Sequence, residues 1–80
     1  DFKPEGTMLF IKNKDVPGVV GKIGTLLGKL NVNIAGYLLS RIKNNDYAFS
    51  VIKLDTELNN QTINKITEID ELIEINQVVL

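Results

Sequence analysis

Residues 13–24 read NKDVPGVVGKIG and hold the chain's densest group of side chains and backbone atoms able to do chemistry. Asp15 offers a carboxylate two residues before Pro17, and the spacing predicts a helix that starts at that proline. Proline suits a first helical position, because its missing N–H costs nothing there. The N–H groups of Gly18 and Val19 then stand free at the positive end of the helix, which attracts a carboxylate. Asp15 beside them can accept from an ammonium group. A donor cluster next to an acceptor fits a zwitterion, that is, a free amino acid. The same Asp15 is equally suited to capping the helix, and these residues alone leave both readings open.

The glycines invite a second chemistry that their spacing does not support. A dinucleotide fingerprint needs G-x-G-x-x-G, and a phosphate loop needs Lys followed by Ser or Thr after its last glycine. Gly18, Gly21 and Gly24 form G-x-x-G-x-x-G, which is neither. Gly21, Gly24 and Gly28 also fall within the predicted helix, each costing about 0.5–1 kcal/mol relative to Ala. They lie on one flank, offset from the apolar stripe, and predict close packing of the helix on the sheet or on a neighbouring helix.

Composition removes other classes. The chain has no Cys and no His, so Cys/His zinc sites, thiol catalysis, disulfides and imidazole acid–base chemistry are all excluded within it. The carboxylates are spread over predicted loops and solvated faces, with no nucleophile–base pair among them. A net charge of −1, with Lys and Arg dispersed, argues against a nucleic-acid partner. The absence of Cys is compatible with a cytoplasmic protein, no apolar run reaches the length of a membrane span, and no signal peptide is visible. Eighty residues make one small domain. The polar DFKPEG reads as the end of an interdomain linker over residues 1–6, with the domain over 7–80.

The elements that must position residues 13–24 follow from periodicity. Met8–Lys12 is a short apolar run and reads as a strand. Val19, Val20, Ile23, Leu26, Leu27 and Leu30 form one stripe, giving a helix over Pro17–Leu30 that Asn31 ends. Val32–Ile42 and Tyr47–Asp55 are β-type runs joined by KNND, a hairpin loop. Asn59 or Asn60 caps a second helix carrying Ile63, Ile66 and Ile69, and a last strand follows around Ile73–Leu80. The order βαββαβ predicts an α+β, ferredoxin-like fold with two helices on one face of a four-stranded antiparallel sheet. Val32–Ile42 is apolar on both alternations, with Val32, Ile34, Leu38 and Ile42 on one side and Ala35, Tyr37 and Leu39 on the other. That excess predicts association with another subunit.

Two family resemblances bear on function. LFIKN (residues 9–13) and NDYAFSV (residues 45–51) resemble strand signatures of RNA-recognition domains, with Tyr47 and Phe49 at stacking positions. The second stretch has Asn45 and Asp46 where those domains carry a basic residue, and it lacks their Gly and final aromatic. RNA binding is therefore not expected. NKDVPGVVGKIGTLLGKLNVNIAGYLLSR (residues 13–41) resembles the ACT domain, the small-molecule regulatory module of amino-acid metabolism. The shared features are the D-x-P-G-V turn, the K-I-G-T-L-L-G helix and the N-V-N-I-A entry to the second strand. Within that family the similarity is greatest to C-terminal regulatory domains of D-3-phosphoglycerate dehydrogenases, with those of iron–sulfur L-serine dehydratases second.

The resemblance implies a regulatory domain without catalytic residues, binding L-serine at the seam of a homodimer whose sheets join side by side. It implies ligand contacts from Asn13 and Asp15, from the loop at Pro17, and from the backbone N–H groups of Gly18 and Val19. Asn33 would reach in from the partner subunit. It further implies feedback control of serine biosynthesis, a parent oxidoreductase that uses NAD, no cofactor or metal in this domain, and a dimer or tetramer for the parent. A dimerisation module with a degenerate pocket is the rival from another class.

Overall fold

β1 (Thr7–Lys14) is the strand around which the rest of the chain is arranged. It pairs antiparallel with β3 (Tyr47–Leu54) on one side and with β4 (Leu72–Val79) on the other, and β2 (Ile34–Arg41) pairs antiparallel with β3. The sheet order is β2-β3-β1-β4, with β2 and β4 at its edges. α1 (Val19–Lys29) and α2 (Asn60–Thr67) complete the predicted βαββαβ order. The computed structural model describes residues 3–42 and 46–80. Most of the KNND loop expected between β2 and β3 lies outside the described residues.

Alternation along β1 divides the two faces of the sheet. Leu9 and Ile11 point to the helices and are fully buried, while Phe10 between them is exposed on the opposite face. Leu9 and Ile11 meet Ile23 and Leu27 of α1, Ile52 and Leu54 of β3, and Ile66 of α2 in one core. Ile63 packs against that core from α2, whereas Ile69, expected on the same helix, does so from the turn after α2 ends at Thr67.

The helix ends show why the sequence terminates them. After α1, Asn31 takes a left-handed φ of 59°. Its N–H donates to the carbonyl of Gly28, and the N–H of Val32 donates to the carbonyl of Leu27. This is the Schellman arrangement, in which Asn is one of the few residues that tolerates the left-handed turn. At α2 the cap is Asn59, whose Oδ1 accepts from the N–H of Thr62 at 2.8 Å. Just before it, Gln77 of β4 grips the backbone of Leu58 twice. Gln77 Oε1 accepts from the Leu58 N–H at 2.7 Å, and Nε2 donates to the Leu58 carbonyl at 3.0 Å.

Three expectations are corrected. Pro17 is not the first helical residue: α1 starts at Val19, and Pro17 and Gly18 form a turn before it. Gly18 has φ 91° and ψ −10°, the left-handed conformation that the third position of a type II turn requires, with proline favoured just before it. The expected phase of β2 is also broken. A bulge between Ile34 and Gly36 shifts the register, so Ile34 shares the helix-facing side with Tyr37 and not with Leu38. Finally, the helix glycines do not mediate close packing within the described chain. A methyl group added at Gly21, Gly24 or Gly28 would have no neighbour within 4 Å.

Candidate functional site

Five segments meet at one end of the strands: the exit of β1, the start of α1, the end of β2 and the starts of β3 and β4. The loop after β1 is tied down on both sides. The Lys14 N–H donates to the carbonyl of Glu71, and the Asp15 N–H donates to the carbonyl of Asp46, both at 2.8 Å. A groove of about 290 Å³ opens beside this loop, lined by Asp15, Pro17, Gly18 and Val19 together with Leu39 and Arg41 of β2.

The groove combines three kinds of group. Its walls are apolar, from Pro17, Val19 and Leu39. At one end the N–H groups of Gly18 and Val19 have no acceptor among the described residues, and they sit at the positive end of α1. Asp15 does not cap the helix, which has no side-chain cap. Instead its Oδ2 accepts from Nε of Arg41 at 3.0 Å. The capping alternative for Asp15 is thereby removed, and its carboxylate is held at the groove.

The other expected contacts are placed differently. Asn13 is only 3% exposed and faces the helix side of the sheet, beneath the loop. Its Nδ2 donates to the carbonyl of Lys14 at 2.9 Å, and its Oδ1 accepts from the Ser50 hydroxyl at 3.5 Å. Ser50 in turn accepts from the Tyr37 hydroxyl at 3.3 Å. A polar relay therefore crosses from β2 through β3 to the base of the loop, and Asn13 supports the groove without lining it. Asn33 is exposed at the start of β2, where its Nδ2 donates to Asp55 Oδ2 at 2.6 Å. Eight residues of extended chain separate it from Arg41, roughly 25 Å. Within one chain, Asn33 and the groove lie at opposite ends of β2.

Glu71 buttresses the same region. Its Oε2 accepts from Nζ of Lys22 on α1 at 2.7 Å. The Lys22 ammonium, aided by a backbone hydrogen bond, holds the Glu71 carboxyl below the usual glutamate range. A larger depression of about 600 Å³ lies between α1 and α2, where Lys29 and Lys65 stand among Glu68 and Asp70. It lacks the convergent backbone donors of the smaller groove. Among the described residues, no three acidic side chains come together as a metal site, and no helix is long and apolar enough to cross a membrane.

The chain with this groove, at the mouth of the β1–α1 loop of a β2-β3-β1-β4 sheet, matches the ACT domain in comparison with known families, over residues 7–71. The chain belongs to the ACT domain family. Relatives include D-3-phosphoglycerate dehydrogenases from Bacillus subtilis, 26% identical over all 80 residues, and from Synechocystis, 39% identical over 82% of this chain. One from Archaeoglobus fulgidus is 30% identical over the whole chain. The chain spans 15%, 12% and 16% of those three proteins. Among solved structures, the ACT domain from GTP pyrophosphokinase of Chlorobium tepidum superposes with a TM-score of 0.63 at 14% identity, covering 92% of this chain and 97% of that one. The C-terminal domain of MgtC from Mycobacterium tuberculosis gives 0.68 at 8%, covering 96% and 92%. At these identities the likeness is one of fold.

Besides Val16 and Val20, chain neighbours of the expected residues, sequence reasoning missed two members of the groove of this ACT domain that come from β2, Leu39 and Arg41. Their signal is faint: both lie two residues apart on one alternation of β2, but the bulge at Ala35 decides which face that alternation takes. The Ser50–Tyr37 support of Asn13 carried no local signal.

Proposed function

We propose that this ACT domain is an amino-acid-sensing regulatory unit that binds L-serine between two copies of itself. The observation that carries this reading is the placement of Asn33 and the Asp15–Arg41 groove at opposite ends of the edge strand β2. A two-fold axis near the middle of β2 would pair this edge antiparallel with its own copy. Asn33 of one copy would then approach the Arg41 end of the other. Each of the two seams would combine the helix-start N–H groups and Asp15 of one chain with Asn33 of its partner.

In this arrangement the ligand carboxylate takes the N–H groups of Gly18 and Val19, and its ammonium group takes Asp15. Pro17 shapes the turn that exposes those donors. Asn33 hydrogen-bonds from across the seam, and Asn13 holds the loop from below. Binding favours one relative arrangement of the two copies, and couplings of this type are typically about 1–3 kcal/mol. We further propose a cytoplasmic, NAD-using D-3-phosphoglycerate dehydrogenase as parent, dimeric or tetrameric and under feedback inhibition by serine. The 26–39% identity to such dehydrogenases supports this choice over an L-serine dehydratase. In this assignment residues 1–6 end the linker to the catalytic part and 7–80 form the regulatory domain, which performs no chemistry.

Calorimetric titration with L-serine, set against glycine and L-valine, tests the proposal. Saturable binding of serine, together with its loss in Asn33→Ala, supports it; no heat from any amino acid at millimolar concentration overturns it. A specific observation favours the rival dimerisation module: Asn13 and Asp15 are both already engaged within the chain. That rival predicts self-association that serine leaves unchanged, and sedimentation with and without serine separates the two.

A further inference from the structure

The face of the sheet turned away from the helices is the most unusual surface of the molecule. The register places Phe10 of β1, Phe49, Val51 and Tyr47 of β3, and Leu38 of β2 on it, while Met8 of β1 shares the face but is itself buried. Phe10 and Phe49 are each 42% exposed and Leu38 is 48% exposed. A sheet covered by helices on one side ordinarily carries polar residues on the other. Here the two central strands each present a phenylalanine, and contiguous apolar patches of this kind mark contact surfaces.

Both lysines on this face are engaged within the chain. Lys12 Nζ lies 4.7 Å over the ring of Tyr47, and the β4 partner of Lys12 is Glu74. Lys53 pairs with Glu5 at 3.7 Å. A surface whose cations are already countered in this way does not suit a polyanion, despite its aromatic residues. It suits another neutral apolar sheet, since sheets stack face to face about 10 Å apart with interleaved side chains.

Area identifies the occupant. Four strands about 4.8 Å apart and eight residues long give a face of roughly 500 Å². Stacking two single chains would bury roughly 1,000 Å² in total, the lower edge of a specific interface. The continuous sheet of a β2-paired dimer has twice that face, and stacking two such dimers would bury roughly 2,000 Å², well within the range of stable assemblies. We infer that the open sheet face is a second self-association surface, on which two β2-paired dimers stack with the Phe10 and Phe49 pairs at the centre. The inference rests on the β2 pairing proposed above. The assembly is then a tetramer with its helices, and all four grooves, on the outside.

Sedimentation of the 80-residue chain over micromolar to submillimolar concentrations tests it. The expected result is a tetramer for the unsubstituted chain and a dimer for Phe10→Glu/Phe49→Glu, with unchanged circular dichroism and serine binding. Should that double variant not fold, Phe49→Ser gives the same readout as a shift of the dimer–tetramer midpoint to concentrations about tenfold higher. A chain that never exceeds a dimer overturns the stacking, as does a variant whose mass matches that of the parent chain. Serine binding by a dimer that does not stack removes this inference alone. A monomer that binds nothing removes the functional proposal as well.

Discussion

Nε of Arg41, at the far end of β2, donates to Oδ2 of Asp15, in the loop after β1, across 3.0 Å. The two residues are 26 positions apart, and the Arg41 side chain is 69% exposed against 21% for Asp15. An ion pair this open to water contributes about 0–1 kcal/mol to folding. Its consequence is positional: it holds a carboxylate at the rim of the groove. Asp15→Asn is therefore expected to weaken L-serine binding at least about tenfold, or about 1.4 kcal/mol. Its urea unfolding free energy should stay within about 1 kcal/mol of the parent chain. Calorimetry and urea denaturation measure the two effects independently, and a large stability loss would assign Asp15 a structural role.

Asn33 makes the complementary case at the other end of the strand. Its amide is oriented by Asp55, at 2.6 Å, on an exposed surface where nothing in its own chain needs a ligand contact. Asn33→Ala should leave the melting temperature within a few degrees while abolishing serine binding. Asp55→Ala should weaken binding less, since it removes the support and leaves the contact. A sharper test mixes Asn33→Ala with Asp15→Asn. Each homodimer has two defective seams, whereas the heterodimer has one seam carrying both substitutions and one carrying neither. Recovery of half-site serine binding on mixing would show that the site is shared between chains, and no recovery would place both residues in separate roles.

The parts of the fold that could be read in the sequence are those set by neighbours in the chain. Asn31 and Asn59 end and begin helices through bonds to residues within four positions, so their roles are visible locally. The stripes of α1 and α2 are equally local, and Ile23, Leu27 and Ile66 are indeed buried. Most of what departs from the sequence reading depends on distant partners. The faces of β2 were misassigned because its bulge is set by pairing with β3. Pro17 was placed in the helix because proline suits both a first helical position and a type II turn; the left-handed φ of Gly18 decides for the turn. Asn13 stands in the expected stretch, but its burial is decided by Ser50, 37 residues later. Arg41 was missed for the same reason, since only the folded sheet brings it to Asp15.

The glycines separate two effects that look alike in sequence. Gly18 has φ 91°, where a side chain is strained whatever space surrounds it. Gly21 lies in the interior of α1 with ordinary helical geometry and open space at its missing methyl. Gly18→Ala is expected to destabilise by about 1 kcal/mol or more. Gly21→Ala should stabilise by about 0.5–1 kcal/mol, through helix propensity and a less flexible unfolded chain. Paired thermal melts check the signs. If Gly21→Ala stabilises the chain yet weakens self-association in sedimentation, the glycine flank of α1 is reserved for a partner.

The pair of Glu71 and Lys22 gives a pH dependence with a definite sign. Hydrogen bonding to Lys22 lowers the Glu71 pKa from its usual value of 4.5, so the folded state binds this proton more weakly than the unfolded chain does. The resulting stabilisation is fully present above the usual value. It disappears as the pH falls below 4.5 and through the lower folded-state pKa. Glu71→Gln removes the titrating group, so the variant should be less stable than the parent chain at pH 7 and should approach it at the acid end of that window. Because Glu71 also accepts the Lys14 N–H through its backbone carbonyl, which Gln retains, the loop after β1 should keep its anchor. Serine affinity at pH 7 should therefore be little changed. Urea titrations from pH 7 down to pH 3 measure the convergence; two curves that stay parallel across that range would mean the carboxylate contributes nothing through its charge.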